Sequence, residues 1–186
     1  HAPLPLCETA STFAELVVFE ELLKKADTDQ KKQALILDKV AASYATIIRQ
    51  NYFILFEIEA HKLLQTGASV TDLNDLYFSL LKEQFGDSVE LSEDFAYEWS
   101  YIPHIFHSPF YCYSYNFGEL LSLSLYAMYK KEGPQVFLPK LAKLLKAGGA
   151  QDPKNLLLSV GIDIESREFW LGGFIIIKDW INQLNF

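Results

Sequence analysis

Between Asp27 and Thr66 the chain contains neither proline nor glycine, the two residues that most often interrupt helices. Apolar side chains recur through this stretch at spacings that suit a helix. They are Leu35, Val40, Tyr44, Ile47, Ile48, Phe53, Leu55, Phe56 and Leu63. The stretch therefore predicts one long helix, bent or broken at most once.

Cap and stop residues divide the rest of the chain into further helices. The predicted helices run over about 8–26, 70–85, 110–131, 135–146, 153–160 and 166–180. No strand pattern competes with them, and no repeat or flexible linker marks a domain boundary. We predict an all-α multi-helix bundle of roughly seven helices that forms a single domain over residues 1–186.

One segment departs from this helical pattern. Pro103 and Pro109 restrict their own φ angles and the residues before them, so we predict that Tyr101 to Ser108 is an extended loop. This predicted loop carries two of the four histidines, His104 and His107.

Composition excludes several classes of partner. The net charge is −8 at pH 7, whereas proteins that bind nucleic acid need clustered Lys and Arg. The most apolar segment, residues 169–177, is far shorter than the ~20 residues that span a bilayer. Cys7 and Cys112 are the only cysteines, which we interpret as free thiols of a reducing, cytoplasmic compartment. We expect neither nucleic acid nor membrane as a partner.

No complete catalytic motif is present, because the 186 residues contain no phosphate-binding glycine loop, no nucleophile elbow and no H-E-x-x-H. Glu8 and Glu15 lie seven residues, or about two turns, apart and share a helix face. Such a pair can place one carboxylate on a metal and the other behind it. From spacing alone, the favoured interpretation of Glu8 is a glutamate in the first turn that complements the helix dipole.

Two other groups could carry chemistry. Glu57 and His61 are one turn apart, and their apolar neighbours favour a hydrogen-bonded structural pair over a metal site. An aromatic cluster follows the two loop histidines; such a cluster is more often core than a site, although its phenols are plausible hydrogen-bond donors. Its members are Phe106, Phe110, Tyr111, Tyr113 and Tyr115.

Several separated segments, in order along nearly the whole chain, resemble the C-terminal third of the oligoendopeptidase F family, relatives of thimet oligopeptidase. They include PLCETASTFAE at 5–15, FEIEAH at 56–61, WSYIPHIF at 99–106, FYCYSY at 110–115, LLKAGG at 144–149 and GID at 161–163. The resemblance implies a helical catalytic domain of the zincin type and a zinc-dependent hydrolase that cleaves short peptides.

The resemblance also implies roles for single residues. Glu8 matches the family's third zinc ligand, and Glu15 matches a glutamate that orients a ligand histidine. His104 matches a histidine that faces the substrate. Tyr113, with Tyr111 as the second candidate, matches a tyrosine that donates to the oxyanion of the tetrahedral intermediate.

In that family an H-E-x-x-H helix, upstream of the Glu8 position, supplies the other two zinc ligands and the general base. With Glu8 alone, we expect the 186-residue chain to bind zinc weakly or not at all and to be inactive without such a segment. The expected partners are thus an oligopeptide substrate and the H-E-x-x-H segment of the same protein. The alternative is a noncatalytic helical interaction module, in which an uncovered aromatic groove binds a partner helix or makes a homo-oligomer.

Overall fold

A computed structural model describes the backbone of residues 4–185 and the side chains of residues 8–185. The α-helices are α1 (Leu4–Lys25), α2 (Asp29–Tyr44), α3 (Gln50–Gln65), α4 (Val70–Phe85), α5 (Pro103–His107), α6 (Tyr113–Glu132), α7 (Pro134–Ala147), α8 (Pro153–Leu158) and α9 (Arg167–Ile181). No strand occurs in the described backbone, so the all-α prediction is confirmed.

The stretch without proline or glycine forms α2 and α3, joined by a π-helical turn over Ala45–Arg49. A π turn widens the helix by one residue without ending it. The prediction of a long helix with at most one break is confirmed.

Side-chain caps set several helix starts where the sequence places them. Ser69 accepts a hydrogen bond from the Asp72 N–H, and Asp72 in turn accepts from the Ser69 N–H, which makes a capping box. Asp152 caps α8, and Ser166 caps α9. Each cap satisfies an N–H that the first helical turn leaves without a partner.

The predicted loop over Tyr101–Ser108 is wrong. A 3₁₀ helix covers Glu93–Tyr101, and α5 follows with Pro103 at its first position and both His104 and His107 inside it. Proline suits the first turn of a helix because its missing N–H would have no intrahelical partner there.

The contacts within the described chain separate it into two compact units. The first unit comprises residues 1–44 and 117–186, and the second comprises residues 45–116. The single domain over 1–186 stays a prediction.

In the first unit, α1 buries aromatic rings against later helices. The Phe13 ring stacks on Phe137 of α7 at 5.5 Å between centroids and meets the edge of Tyr126 of α6 at 6.4 Å. Phe19 packs edge-to-face on Trp180 of α9 at 5.3 Å. Offset and edge-to-face pairs of this kind add to the free energy of apolar burial.

The second unit has an apolar cluster built from α3, α4 and the segment before α6. Its buried members are Phe53, Phe56, Ala60, Leu73, Tyr77, Leu81, Ile102 and Cys112. The Tyr77 hydroxyl donates to Glu98 at 2.7 Å, and the Trp99 indole N–H donates to Asn74 at 2.8 Å. These two polar groups beside the cluster are therefore paired.

None of the described helices is both long enough and apolar enough to cross a membrane.

Close packing of α9 on α6 in the first unit yields a stability prediction. A Cβ at Gly173 would lie 2.9 Å from Ser124 Oγ and 3.1 Å from the Leu123 Cβ, whereas one at Gly172 would meet only Ala127 Cβ at 3.3 Å. Both glycines lie inside α9, where alanine has a higher helix propensity than glycine. This gain is the same for the two variants and cancels when their stabilities are compared. We expect Gly173→Ala to be less stable than Gly172→Ala by ~1–3 kcal/mol because of overpacking. Urea unfolding measures the difference, and equal stabilities would contradict this packing.

Candidate functional site

His104 lies among aromatic side chains in the second unit. Its Nε2 is 3.1 Å from the Tyr115 hydroxyl oxygen. The Tyr111 ring lies nearly parallel to the imidazole at 5.3 Å, and the Tyr115 ring meets its edge at 5.5 Å. The structure thus places the predicted residues His104 and Tyr111 in direct contact.

From the sequence, Tyr115 is predicted only as a member of the aromatic cluster, without a role of its own. The turn between α5 and α6 brings Tyr115 back onto a histidine eleven positions earlier. A hydrogen bond to one ring nitrogen of a histidine holds the orientation of the imidazole, and its direction depends on the tautomer. Tyr115 therefore joins the candidate site as the residue that orients His104.

Tyr113 lies in the same segment but differs in exposure. Its residue surface is 45% exposed at the start of α6, whereas Tyr111 is half-buried against His104. A phenol at the surface is accessible to a bound substrate.

Glu57 and His61 do not form the predicted pair, and that prediction is wrong. Glu57 Oε1 accepts the Phe110 N–H at 2.7 Å, and Glu57 Oε2 has no hydrogen-bond partner. The His61 ring instead stacks on the Phe110 ring at 5.0 Å. Two residues one turn apart on α3 therefore hold the same residue of the segment before α6.

Cys112 is a free and buried thiol next to this segment. Burial raises the pKa of Cys112 to about 11, and the negative charge of Glu57 adds to the rise. Because the thiolate is the reactive form, Cys112 is not a nucleophile at neutral pH. The prediction of a free thiol is confirmed for Cys112, whereas the side chain of Cys7 lies outside the described residues.

Glu8 and Glu15 lie on α1 in the first unit. As described, α1 begins at Leu4, so Glu8 falls in the second turn and is not among the first-turn acids that complement a helix dipole. Glu8 is half-buried and precedes Thr9, whose buried carbonyl accepts a hydrogen bond from Ser122 of α6 at 3.1 Å.

The Glu15 carboxylate belongs to a charge network. The Lys39 Nζ donates to Glu15 Oε1 at 2.8 Å and lies 3.9 Å from Glu119 Oε1. The Lys39 side chain is 6% exposed and that of Glu119 is 8% exposed. Ser43 donates to the same Glu119 oxygen at 3.1 Å, so the buried carboxylate and ammonium group are both paired.

No group of three His, Cys, Asp or Glu side chains within the described residues is placed to hold a metal ion. Glu8 offers one half-buried carboxylate on a rigid helix, which suits a member of a zinc ligand set. One carboxylate does not complete that set, so the described side chains fit zinc only together with ligands from elsewhere.

Comparison with known proteins identifies relatives along most of the sequence. The profile of peptidase family M3 matches residues 1–175. Oligopeptidase PepF of Bacillus subtilis is 32% identical over 178 residues, which cover 90% of this chain and 26% of the relative. The plasmid-encoded oligoendopeptidase F of Lactococcus lactis subsp. cremoris is 29% identical over 184 residues, which cover 98% of this chain and 30% of the relative.

Two crystal structures share the fold. A peptidase structure from Chlamydophila abortus superposes with a TM-score of 0.88 and 26% identity, over 99% of this chain and 31% of that one. Oligoendopeptidase-F from Enterococcus faecium superposes with a TM-score of 0.83 and 23% identity, over 97% of this chain and 35% of that one. The chain thus spans between 26% and 35% of the length of these four proteins.

The buried Glu119 generates a prediction about pH. Burial raises the pKa of the Glu119 carboxyl above its ordinary value, and Glu15 adds to this rise, while Lys39 and Ser43 oppose it. A raised pKa in the folded state means that folding favours the protonated form. The stabilising contribution is therefore complete below the unfolded-state pKa, about 4.3, and is lost as pH rises through the folded-state pKa.

We expect Glu119→Gln to remove this loss, so that wild type loses more stability than the variant as pH rises above about 4.3. Thermal unfolding across pH measures the effect, with the exposed Glu90→Gln as control. Parallel pH profiles for wild type and Glu119→Gln would contradict it.

Proposed function

Because the chain belongs to peptidase family M3, we propose that it forms part of the catalytic domain of a zinc-dependent oligoendopeptidase that hydrolyses short peptides. The observation that carries this proposal is the contact of His104 with Tyr111 and Tyr115 in the second unit. An imidazole oriented by a phenol, with an accessible Tyr113 nearby in sequence, suits the stabilisation of an oxyanion.

We assign one zinc ligand to Glu8 and the others to an H-E-x-x-H segment that is not among the 186 residues. When bound, zinc would polarise the scissile carbonyl and lower the pKa of a coordinated water. The part of this chain in that chemistry is to supply a carboxylate from a helix that aromatic packing holds in place.

Glu15 would orient a ligand histidine from behind the metal. Lys39 already binds its Oε1, so we assign the hydrogen bond with the histidine to Oε2. The buried ammonium group holds one oxygen of the Glu15 carboxylate and limits its rotamers. Replacement of such a supporting group commonly lowers metal affinity ~10–100-fold.

His104 and Tyr113 are the proposed donors to the oxyanion, with Tyr111 as the second tyrosine candidate. Tyr115 engages Nε2 of His104, so Nδ1 is the ring nitrogen left to face a substrate. If the Tyr115 hydroxyl donates to Nε2, the proton resides on Nδ1, which is the form that can donate to an oxyanion.

The oligopeptide substrate and the cytoplasmic location belong to the same proposal. The curated relatives are called oligopeptidases and oligoendopeptidases, which supports short peptides as substrates. The free thiol of Cys112 fits a reducing compartment.

Cleavage of a quenched fluorescent peptide tests the proposal. We expect activity only when zinc and a separately expressed H-E-x-x-H segment are added to the chain, and we expect Glu8→Ala to abolish it because a zinc ligand is lost. Glu21→Ala, an exposed glutamate on the same helix, is the matched control and should keep full activity. An inactive mixture, despite verified association and zinc loading, would favour the noncatalytic interaction module.

The tyrosine roles can be separated by removing single hydroxyl groups. In the assembled enzyme we expect Tyr113→Phe to lower kcat ~10²–10³-fold, since it deletes a donor to the oxyanion. Tyr115→Phe should lower kcat less and should also shift the ¹⁵N resonances of His104, because the bond to Nε2 is lost. If Tyr111→Phe has the largest effect instead, the donor role belongs to Tyr111.

A further inference from the structure

Glu57 has a carboxyl group in a place where polar atoms are costly to bury. The residue is 1% exposed on α3, next in sequence to Phe56 of the apolar cluster in the second unit. Its Oε1 accepts the Phe110 N–H at 2.7 Å, 53 positions later in the chain, and its Oε2 has no partner. A buried carboxylate with a single backbone partner is expensive to retain, so its bond to Phe110 calls for an explanation.

Phe110 occupies an unusual backbone conformation. Its φ is 59°, the only positive φ of a non-glycine residue among those described. The left-handed region is unfavourable for a bulky side chain, which lacks the freedom of glycine. Something other than the local preference of Phe110 must hold it there.

The turn that contains Phe110 explains what Glu57 does. The Tyr111 N–H donates to the Ser108 carbonyl at 3.0 Å, which closes a four-residue turn with Pro109 in the second position and Phe110 in the third. Proline in the second position and a positive φ in the third are the marks of a type II turn. Phenylalanine in the third position would by itself favour type I, in which φ is negative.

Type I and type II turns differ in the orientation of their central peptide. In this turn the central peptide joins Pro109 to Phe110. Glu57 accepts a hydrogen bond from the N–H of this peptide. The carboxylate therefore binds the one group whose direction distinguishes the two turns. His61, one helical turn after Glu57, stacks on the Phe110 ring at 5.0 Å and holds the side chain of the same residue.

We infer that Glu57 is a positioning residue, which selects the type II form of the Ser108–Tyr111 turn and thereby places Tyr111 against His104. The turn positions the site directly, because Tyr111 is the last residue of the turn and its ring centroid lies 5.3 Å from that of the His104 imidazole. The catalytic consequence of this inference rests on the proposed peptidase function, whereas the structural one does not.

The structural consequence is measured in the 186-residue chain by NMR. Pro109–Phe110 is the single Pro-Phe pair of the sequence, so labelling proline with ¹³C at the carbonyl and phenylalanine with ¹⁵N isolates one amide. We expect this amide to be shifted downfield and protected from hydrogen exchange. In Glu57→Leu it should exchange at least ~10-fold faster, the size expected for a lost bond to a charged group.

Two variants show whether the bond or general packing is responsible. Glu57→Gln keeps a carbonyl oxygen for the Phe110 N–H and should retain most of the protection. Glu59→Gln alters an exposed neighbour on α3, paired with Lys62, and should change nothing. An amide that exchanges as fast as an open peptide in the folded wild type would overturn the inference, even if Glu57→Leu fails to fold.

The catalytic consequence is measured in the enzyme assembled with its H-E-x-x-H segment and zinc. We expect Glu57→Leu to lower kcat ~10–100-fold at nearly constant KM, because misplaced groups slow the chemical step more than they weaken binding. Glu57→Gln should restore most of kcat. A protected wild-type amide with unchanged kcat in Glu57→Leu would overturn the positioning role. If the assembly has no activity, the proposed function fails, and the NMR result still decides the turn.

Discussion

The N–H of Phe110 donates to a carboxylate 53 positions earlier, and the form of the Ser108–Tyr111 turn beside His104 depends on that bond. The apolar cluster of the second unit excludes water from Glu57, so the bond acts in a medium where electrostatic attraction is strong. Because water is excluded, loss of the bond to Phe110 would cost free energy by leaving the Glu57 carboxyl group without a partner. The turn and the apolar cluster therefore stabilise each other. Rigid placement of donors before the substrate arrives is what oxyanion stabilisation requires.

In the first unit, too, buried polar groups are held in place by hydrogen bonds and ion pairs. The buried Lys39 contacts both Glu15 and Glu119, and Ser43 donates to Glu119 as well. Removing Lys39 would leave the buried Glu119 carboxyl group without a cationic partner. The network fixes the face of α1 that carries Glu15, while Phe13 and Phe19 fix the same helix through aromatic packing. Glu8, two turns before Glu15, shares this support through the rigidity of the helix.

Local patterns predicted most helices because capping and proline effects act within a few residues. Ser69, Asp152 and Ser166 begin the helices that their sequence contexts indicate. The prediction of an extended loop over 101–108 was wrong because Pro103 begins α5 and does not interrupt a helix. Contacts between distant residues left no such local signal. The Glu57 bond to Phe110 and the Tyr115 bond to His104 depend on how α3, α5 and α6 meet, so neither spacing nor composition indicates them.

The chain belongs to peptidase family M3, and Glu8 is proposed to hold a catalytic zinc ion. The most direct measurement is anomalous X-ray scattering at the zinc edge from crystals of the zinc-loaded protein that contains both this chain and an H-E-x-x-H segment. We expect an anomalous peak with a Glu8 carboxylate oxygen at ~2.0–2.2 Å. A zinc ion coordinated by other residues, with Glu8 outside coordination distance, would contradict the claim.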